Sequence, residues 1–259
     1  MANCGHGTAV LFVNTAVCFY TLGYMFVVNQ ALIQKAQKIL SASPNIYWVL
    51  GGSATGKSTI CQTISQMTQA TVYDMDAFIY GHYQPHYSPE RHPASVAWFG
   101  AESPLAWVMA LSWEEFDALN QATNAEFLDL LADDLSPTNL TSPLLIDGGF
   151  THPSIIAQAA HLPNIVCLDA PRQMVIQEWE TQTERLAMKS WIHDLLNGEA
   201  MWSKFLEHDR RMNETMVRES DALGVRVFRR DEDTAVYTLA QQIINYFNFA
   251  ASEHKSHSR

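Results

Sequence analysis

Residues 51–58 carry the pattern with the clearest chemical meaning in this chain. They read Gly-Gly-Ser-Ala-Thr-Gly-Lys-Ser, which matches G-x-x-x-x-G-K-S/T at every fixed position. The apolar run 46–50 predicts a strand before the pattern, and residues 59–64 predict a helix after it. Glycines let successive backbone N–H groups converge on an anion, and the helix N-terminus directs its positive dipole end to the same point. The segment therefore predicts a loop that binds phosphate groups; the alternative is an ordinary glycine-rich turn.

Each residue of this loop has an expected task. Lys57 can reach the β- and γ-phosphates of a nucleotide and assist catalysis there, and the Ser58 hydroxyl can bind Mg²⁺. We therefore predict ATP and Mg²⁺ as cofactors. The predicted nucleotide-binding residues are Gly51, Gly52, Ser53, Ala54, Thr55, Gly56, Lys57, Ser58 and Thr59.

Two acidic segments follow apolar runs that predict strands. Asp74 and Asp76 come after residues 71–73, and alternation in an extended chain would place both carboxylates on one side. Asp147 ends the run 144–146 and is predicted to hold Mg²⁺ through water together with Ser58. The carboxyl ends of parallel strands are where such sheets bind ligands, so we predict that Asp76 or Asp74 orients an attacking hydroxyl. The alternative for each is a helix cap or a turn residue.

Cations further along the chain could complete a phosphate site. Arg185 and Lys189 are four residues apart on a predicted helix, so they repel each other unless an anion lies between them. Arg185 is a candidate for neutralising charge as a lid closes, and a solvated helix face is the alternative. Arg229 follows the last predicted strand and is a candidate for contacting the nucleotide base, with a charged turn as the alternative.

Strand and helix patterns alternate along the chain, which is typical of an α/β protein with a parallel sheet. The predicted strands are 47–50, 71–73, 144–146, 165–168 and 225–228. The predicted helices are 30–40, 57–68, 113–132, 153–160, 172–196, 202–223 and 234–247. Aromatic residues and histidines are concentrated in 77–112, which predicts either an irregular surface excursion or a cap over a second substrate.

Charge and cysteine content limit the functional classes. The net charge of −11 disfavours binding to polynucleotides, so we expect no nucleic-acid partner. The four cysteines show no metal-ligand spacing, which predicts reduced thiols and a cytoplasmic protein.

The N-terminal region allows two interpretations. No charged residue precedes Lys35, and residues 9–28 are mostly apolar over about the length that spans a bilayer. They predict either a dispensable extension or a membrane anchor with the following domain on the cytoplasmic side. The predicted organisation is an apolar extension with a short amphipathic helix over 1–44, a main domain over 45–248 with an insertion over 77–140, and a disordered tail over 249–259.

Three of these segments resemble P-loop kinases of small metabolites. The loop 51–59 is similar to that of uridine kinases, the Asp74-x-Asp76 pair looks like the carboxylates of shikimate-type kinases, and residues 147–149 resemble the third-strand segment of the same group. The resemblance implies a P-loop nucleoside-triphosphate-binding fold, a five-stranded sheet of order 2-3-1-4-5 flanked by helices, and a lid over ATP. Two features depart from the family: the lid helix lacks a dense arginine cluster, and the insertion matches no named member.

The leading functional prediction is transfer of the ATP γ-phosphate to a hydroxyl of a small molecule, such as a nucleoside, sugar or hydroxy acid. The alternative is a P-loop NTPase or nucleotide-dependent switch that acts on a macromolecular partner through the aromatic segment. A third possibility is a kinase directed at RNA or a nucleotide sugar, which the acidic charge disfavours.

Overall fold

The computed structural model describes residues 26–249 except 137, 139 and 232. The helices are α1 Gln30–Leu40, α2 Lys57–Thr68, α3 Met75–Ala77, α4 Pro93–Phe99, α5 Pro104–Ala110, α6 Trp113–Leu135, α7 Pro153–Ile156, α8 Arg172–Thr181, α9 Thr183–His193, α10 Gly198–Leu223 and α11 Val236–Phe247. A π-helical turn covers Phe78–His82, and 3-10 turns cover Gln84–His86 and Leu162–Asn164.

Five parallel strands form one sheet. They are β1 Ile46–Gly51, β2 Thr71–Asp74, β3 Leu144–Asp147, β4 Ile165–Asp169 and β5 Arg226–Arg229. Their order is β2-β3-β1-β4-β5, the order that the kinase resemblance implies. In the register, Asp147 lies beside both Val49 of β1 and Asp74 of β2. The α/β class is confirmed, and the carboxyl ends of the three strands next to the loop lie together.

The two faces of the sheet are covered by different helices. Alternate strand residues such as Trp48 and Ile146 face a core that includes residues of α1 and α6. Their neighbours, such as Val49 and Leu145, face a second core with α2 and α11. Strands buried on both faces explain the uninterrupted apolar runs that predicted them.

The insertion is mostly helical. The long helix α6 begins with a capping box, in which Ser112 and Glu115 satisfy each other's backbone N–H groups. A buried carboxylate on this helix, Asp129, interacts with Lys35 of α1 and with Arg91 and His92 before α4. This network joins α1 to the insertion, so the amphipathic helix of the N-terminal segment packs with the main body.

Some predicted elements differ from the structure in detail. The helix predicted over 153–160 ends at Ile156. The single helix predicted over 172–196 is interrupted at Gln182, whose extended backbone separates α8 from α9. The Thr181 hydroxyl donates to the Gln177 carbonyl, a local bond that competes with helix continuation. The segment after β2 is also not extended, because α3 begins at Met75 and places Asp76 on a helical turn.

The N-terminal and C-terminal predictions fall largely outside the described residues. These are the proposed anchor, apart from its last three positions, and the tail after residue 249. Within the part that is described, no helix combines the length and apolar character needed to cross a bilayer. Cys61 and Cys167 are free, buried thiols, as predicted.

Candidate functional site

The predicted phosphate loop connects β1 to α2. The Lys57 ammonium group donates to the Gly52 carbonyl oxygen at 3.0 Å, and the Thr55 hydroxyl donates to the same oxygen at 2.8 Å. Gly56, with φ of +90°, precedes the first residue of α2, so the helix N-terminus opens where the loop ends. Lys57 is therefore folded back over the loop, with its charge at the helix N-terminus.

A cavity of about 490 Å³, here called the loop cavity, opens above this turn. Its lining residues are Ser53, Ala54, Gly56, Lys57, Ser58, Thr59, Ile60, Asp76, Glu178, Gln182, Arg185, Arg230 and Val236. Of the predicted nucleotide-binding residues, Gly51, Gly52 and Thr55 lie outside this lining. Thr55 is buried beneath the loop, and the Gly52 amide donates to the Asn213 side-chain oxygen at 3.2 Å.

Asp147, the carboxylate predicted to hold Mg²⁺, is buried beside Ser58 and is not among the residues that line the loop cavity. Its side chain is 5% exposed, and its Oδ1 atom is buried without a hydrogen-bond partner in the structure. Burial raises the pKa of this carboxyl group, whereas the Ser58 hydroxyl and the Lys57 ammonium group favour its charged form. An unpartnered carboxylate oxygen near a serine hydroxyl suits Mg²⁺, which binds a few protein oxygens together with water and phosphate. Among the described residues, no group of three or more histidine, cysteine or acidic side chains forms a metal site.

The structure separates the two aspartates that follow β2. Asp74 is exposed and caps α3, since its Oδ1 atom accepts the Ala77 amide at 3.0 Å. Asp76 instead lines the loop cavity. Although its side chain is accessible to solvent, desolvation by the cavity walls raises the pKa of Asp76, with Lys57 lowering it and Asp74 raising it. The helix-cap alternative therefore describes Asp74, and Asp76 is the aspartate that faces the site.

Gly148 makes room for Asp76. Its φ of +76° strains any other residue, and a Cβ there would lie 2.7 Å from Asp76 Oδ2. Gly148 thus accommodates a neighbouring side chain of the site at the end of β3.

Arg230, one residue beyond the predicted Arg229, is the arginine beside the loop. A Cβ on Gly56 would lie 2.8 Å from its Nη1 atom, and its buried Nε atom has no hydrogen-bond partner in the structure. The Arg229 side chain is 74% exposed and lies 3.4 Å from Asp169. Successive side chains along a strand point to opposite sides. An error of one position in the predicted strand end therefore exchanges the arginine that faces the loop for the arginine that faces solvent.

Arg185 lies over the loop cavity from α9. Its guanidinium carbon is 4.5 Å from the centre of the Trp179 ring, a cation–π contact that joins α9 to α8. Lys189, its predicted companion, forms an ion pair with Glu180. The structure therefore brings Arg185, Arg230 and Lys57 to one cavity and directs Lys189 elsewhere.

A second cavity of about 550 Å³, here called the apolar cavity, adjoins the first. Its lining includes Trp98 and Phe99 of the insertion, Phe116 of α6 and Trp179 of α8. Three residues line both cavities: Ser53, Lys57 and Asp76. A molecule in the apolar cavity would therefore meet a nucleotide in the loop cavity beside Lys57 and Asp76.

Asp209 is a candidate site residue that the sequence did not single out. It lies on α10, is 6% exposed and lines the apolar cavity. The Trp179 indole N–H donates to its Oδ2 at 3.4 Å, and the Ser53 hydroxyl also favours its charged form, although burial raises its pKa. The sequence alone did not point to Asp209, because Ser53, Trp179 and Asp209 lie in distant segments of the chain. Through these two contacts, Asp209 links Ser53 of the predicted phosphate loop to Trp179 of α8.

Two solved structures show a remote similarity to this chain. No protein-family model and no curated protein sequence matches the chain. An unliganded sugar kinase from a Janibacter species is 14% identical, with a TM-score of 0.36 over 80% of this chain and 95% of that one. A protein of Thermus thermophilus is 16% identical, with a TM-score of 0.48 over 81% of this chain and all of that one. At TM-scores below 0.5, neither similarity identifies a function for this chain.

Proposed function

We propose that this protein transfers the γ-phosphate of ATP to a hydroxyl group of a small molecule. The observation that carries the proposal is the junction of the two cavities. There, a lysine of a phosphate-binding motif and an aspartate of raised pKa line both compartments. Phosphoryl transfer needs this combination of a phosphate cradle and a carboxylate facing the attacking group.

The residues have distinct roles in the proposed reaction. The acceptor oxygen forms a bond to the γ-phosphorus as the bond to the β–γ bridging oxygen breaks, and Asp76 accepts the hydroxyl proton. Lys57 and the loop amides hold the phosphates, and Arg185 and Arg230 neutralise charge on the open side of the loop cavity. Ser58 and Asp147 are the residues that would hold Mg²⁺, which neutralises charge on the phosphate oxygens when bound.

Release of ADP tests the proposal. The purified protein with Mg²⁺ and ATP is expected to form ADP at a rate that depends on an added small hydroxyl compound and is lost in Lys57→Ala. Turnover that is unaffected by every small acceptor but is stimulated by a protein would contradict the proposal and favour a nucleotide-dependent switch.

A further inference from the structure

We infer that the phosphoryl acceptor is an uncharged alcohol or phenol whose body is a flat, largely apolar ring system, held in the apolar cavity. This inference rests on the proposed function, because it names the acceptor class of that reaction. It differs from the nucleosides, sugars and hydroxy acids that the sequence suggested, which carry several polar groups.

The walls of the apolar cavity are flat and come from separate parts of the fold. Trp98 and Phe99 stack on each other with ring centres 4.5 Å apart. Phe116 of α6 stacks on His208 of α10 at 4.8 Å. Phe205 and three methionines extend the wall along α9 and α10: Met188, Met212 and Met216. Aromatic faces and flexible thioethers favour a ring-bearing or hydrocarbon body.

The charges of the apolar cavity disfavour an anionic acceptor. Among the described residues that line it, Lys57 is the one lysine and there is no arginine. Asp76 and Asp209 contribute negative charge instead. The pKa of His208 is lowered by burial and by the nearby Lys204 and Arg211, so its ring is uncharged at neutral pH. A carboxylate or phosphate on the acceptor would lack the arginine partners that such groups need.

Several polar side chains that line the apolar cavity are already engaged within the protein. Gln84 donates to the Tyr80 carbonyl, and Asn120 donates to the Phe116 carbonyl. Asn124 is already occupied, because its Oδ1 atom accepts the Thr151 and His152 amides and its Nδ2 atom donates to Thr151 Oγ1. Asp209 accepts a hydrogen bond from the Trp179 indole N–H, whereas the buried His208 Nδ1 atom has no partner in the structure and could still bond to one group of a ligand. Each sugar hydroxyl left unpaired beside the aromatic walls would weaken binding, because it would lose its hydrogen bonds to water without replacing them. One hydroxyl at the Asp76 end and an apolar body elsewhere fits this distribution.

The volume also fits a ring-bearing molecule. At about 550 Å³ the cavity falls in the range of sites that bury drug-sized ligands. Trp191 of α9 and Tyr80, both more than half exposed, lie at its rim. The body of the acceptor therefore lies between the insertion and the α8–α9 segment, with its hydroxyl directed at the loop.

Binding of N-phenyl-1-naphthylamine, a neutral probe that fluoresces in apolar surroundings, tests the inference. We expect the full-length protein with Mg²⁺ and a non-hydrolysable ATP analogue to bind the probe. Met212→Arg adds a cation to the apolar cavity and should weaken binding about tenfold or more, because a desolvated charge is costly. Ala222→Arg, on an exposed position of the same helix, is the matched control and should bind like wild type. Trp191→Ala should also weaken binding, because Trp191 lines the cavity. Since Trp191 is exposed, its replacement should not destabilise the fold.

Competition and turnover distinguish the acceptor classes. Neutral ring-bearing alcohols, with 2-naphthaleneethanol as the first probe, should displace the dye and stimulate ADP formation, whereas gluconate, shikimate and glucose should do neither. Dye binding that is unchanged in both Met212→Arg and Trp191→Ala, or ADP formation with hydroxy acids or sugars but with no neutral ring-bearing alcohol, would overturn the inference. Failure to bind the ATP analogue would instead overturn the proposed function, whatever the dye does.

Discussion

Lys57 and Asp76, residues of opposite charge, each line both cavities of the site. Desolvation raises the pKa of the Asp76 carboxyl group, and the Lys57 ammonium group opposes that rise. The proposed phosphate-binding cation and the proposed proton acceptor therefore lie together at the contact between the two cavities.

Asp76→Asn removes the proposed proton acceptor without changing the size of the side chain. We expect turnover to fall about 10²- to 10⁴-fold, the usual contribution of a general base, with nucleotide affinity retained. Asp74→Ala is the matched control: it removes the cap of α3, costs about 1 kcal/mol of stability and keeps most of the turnover. Equal losses of turnover in the two variants would contradict the assignment of the base to Asp76.

The pH dependence of kcat/KM should reflect the raised pKa values of the site. Asp76 accepts a proton only when it is deprotonated, so activity is lost as the pH falls through its raised pKa. The acid limb is assigned to Asp76 rather than to Asp147, because Mg²⁺ bound at Asp147 would favour the charged form of that carboxyl group. We expect its midpoint above 3.8, the ordinary aspartate value. A midpoint at or below that value, with circular dichroism showing a folded protein, would argue against a desolvated base.

Arg230→Ala should weaken nucleotide binding, whereas Arg229→Ala should not. The Arg230 side chain is 20% exposed and faces the loop, while Arg229 points to solvent beside Asp169. Loss of one charged hydrogen bond to a phosphate costs about 1.5–3 kcal/mol, which corresponds to tenfold or more in the dissociation constant. Calorimetric titration of both variants with the nucleotide measures the two dissociation constants. A larger effect of Arg229→Ala would instead favour Arg229 as the residue that contacts the nucleotide.

Asp129→Asn should destabilise the fold away from the site. Burial alone would raise the pKa of Asp129, but His92, Lys35 and Arg91 together lower it to about 2. Relative to its ordinary value of 3.8, this corresponds to about 2 kcal/mol of stability, present above pH ~4 and lost as the pH falls through about 2. Urea unfolding at pH 7 measures the loss. The half-exposed neighbour Asp133→Asn is the control, and an equal loss there would contradict a special role for Asp129.

The elements around the loop were predictable because their signals are local. Strands buried on both faces read as apolar runs, and the loop pattern specifies its own flanking strand and helix. Asp147 was predictable for the same reason, as one carboxylate at the end of such a run. The strand order was not derivable from these patterns and came from the family resemblance.

Other features depend on contacts between distant segments. To predict which of Arg229 and Arg230 faces the loop, the end of β5 must be known to within one residue. Asp209 is recognisable only once α10 is placed beside Ser53 and Trp179. The apolar cavity is the strongest case, since each of its aromatic residues, taken singly, is indistinguishable from a core residue. Tertiary packing determines whether such a residue fills the core or lines a cavity.

Calorimetric titration of the protein with Mg²⁺ and a non-hydrolysable ATP analogue determines whether the loop 51–59 binds a nucleotide. We expect saturable binding that is weakened at least about tenfold in Lys57→Ala, which loses a charged phosphate contact, and is unchanged in the exposed control Lys38→Ala. Absence of binding in the wild-type protein, or equal affinity in Lys57→Ala and wild type, would contradict nucleotide binding at this loop.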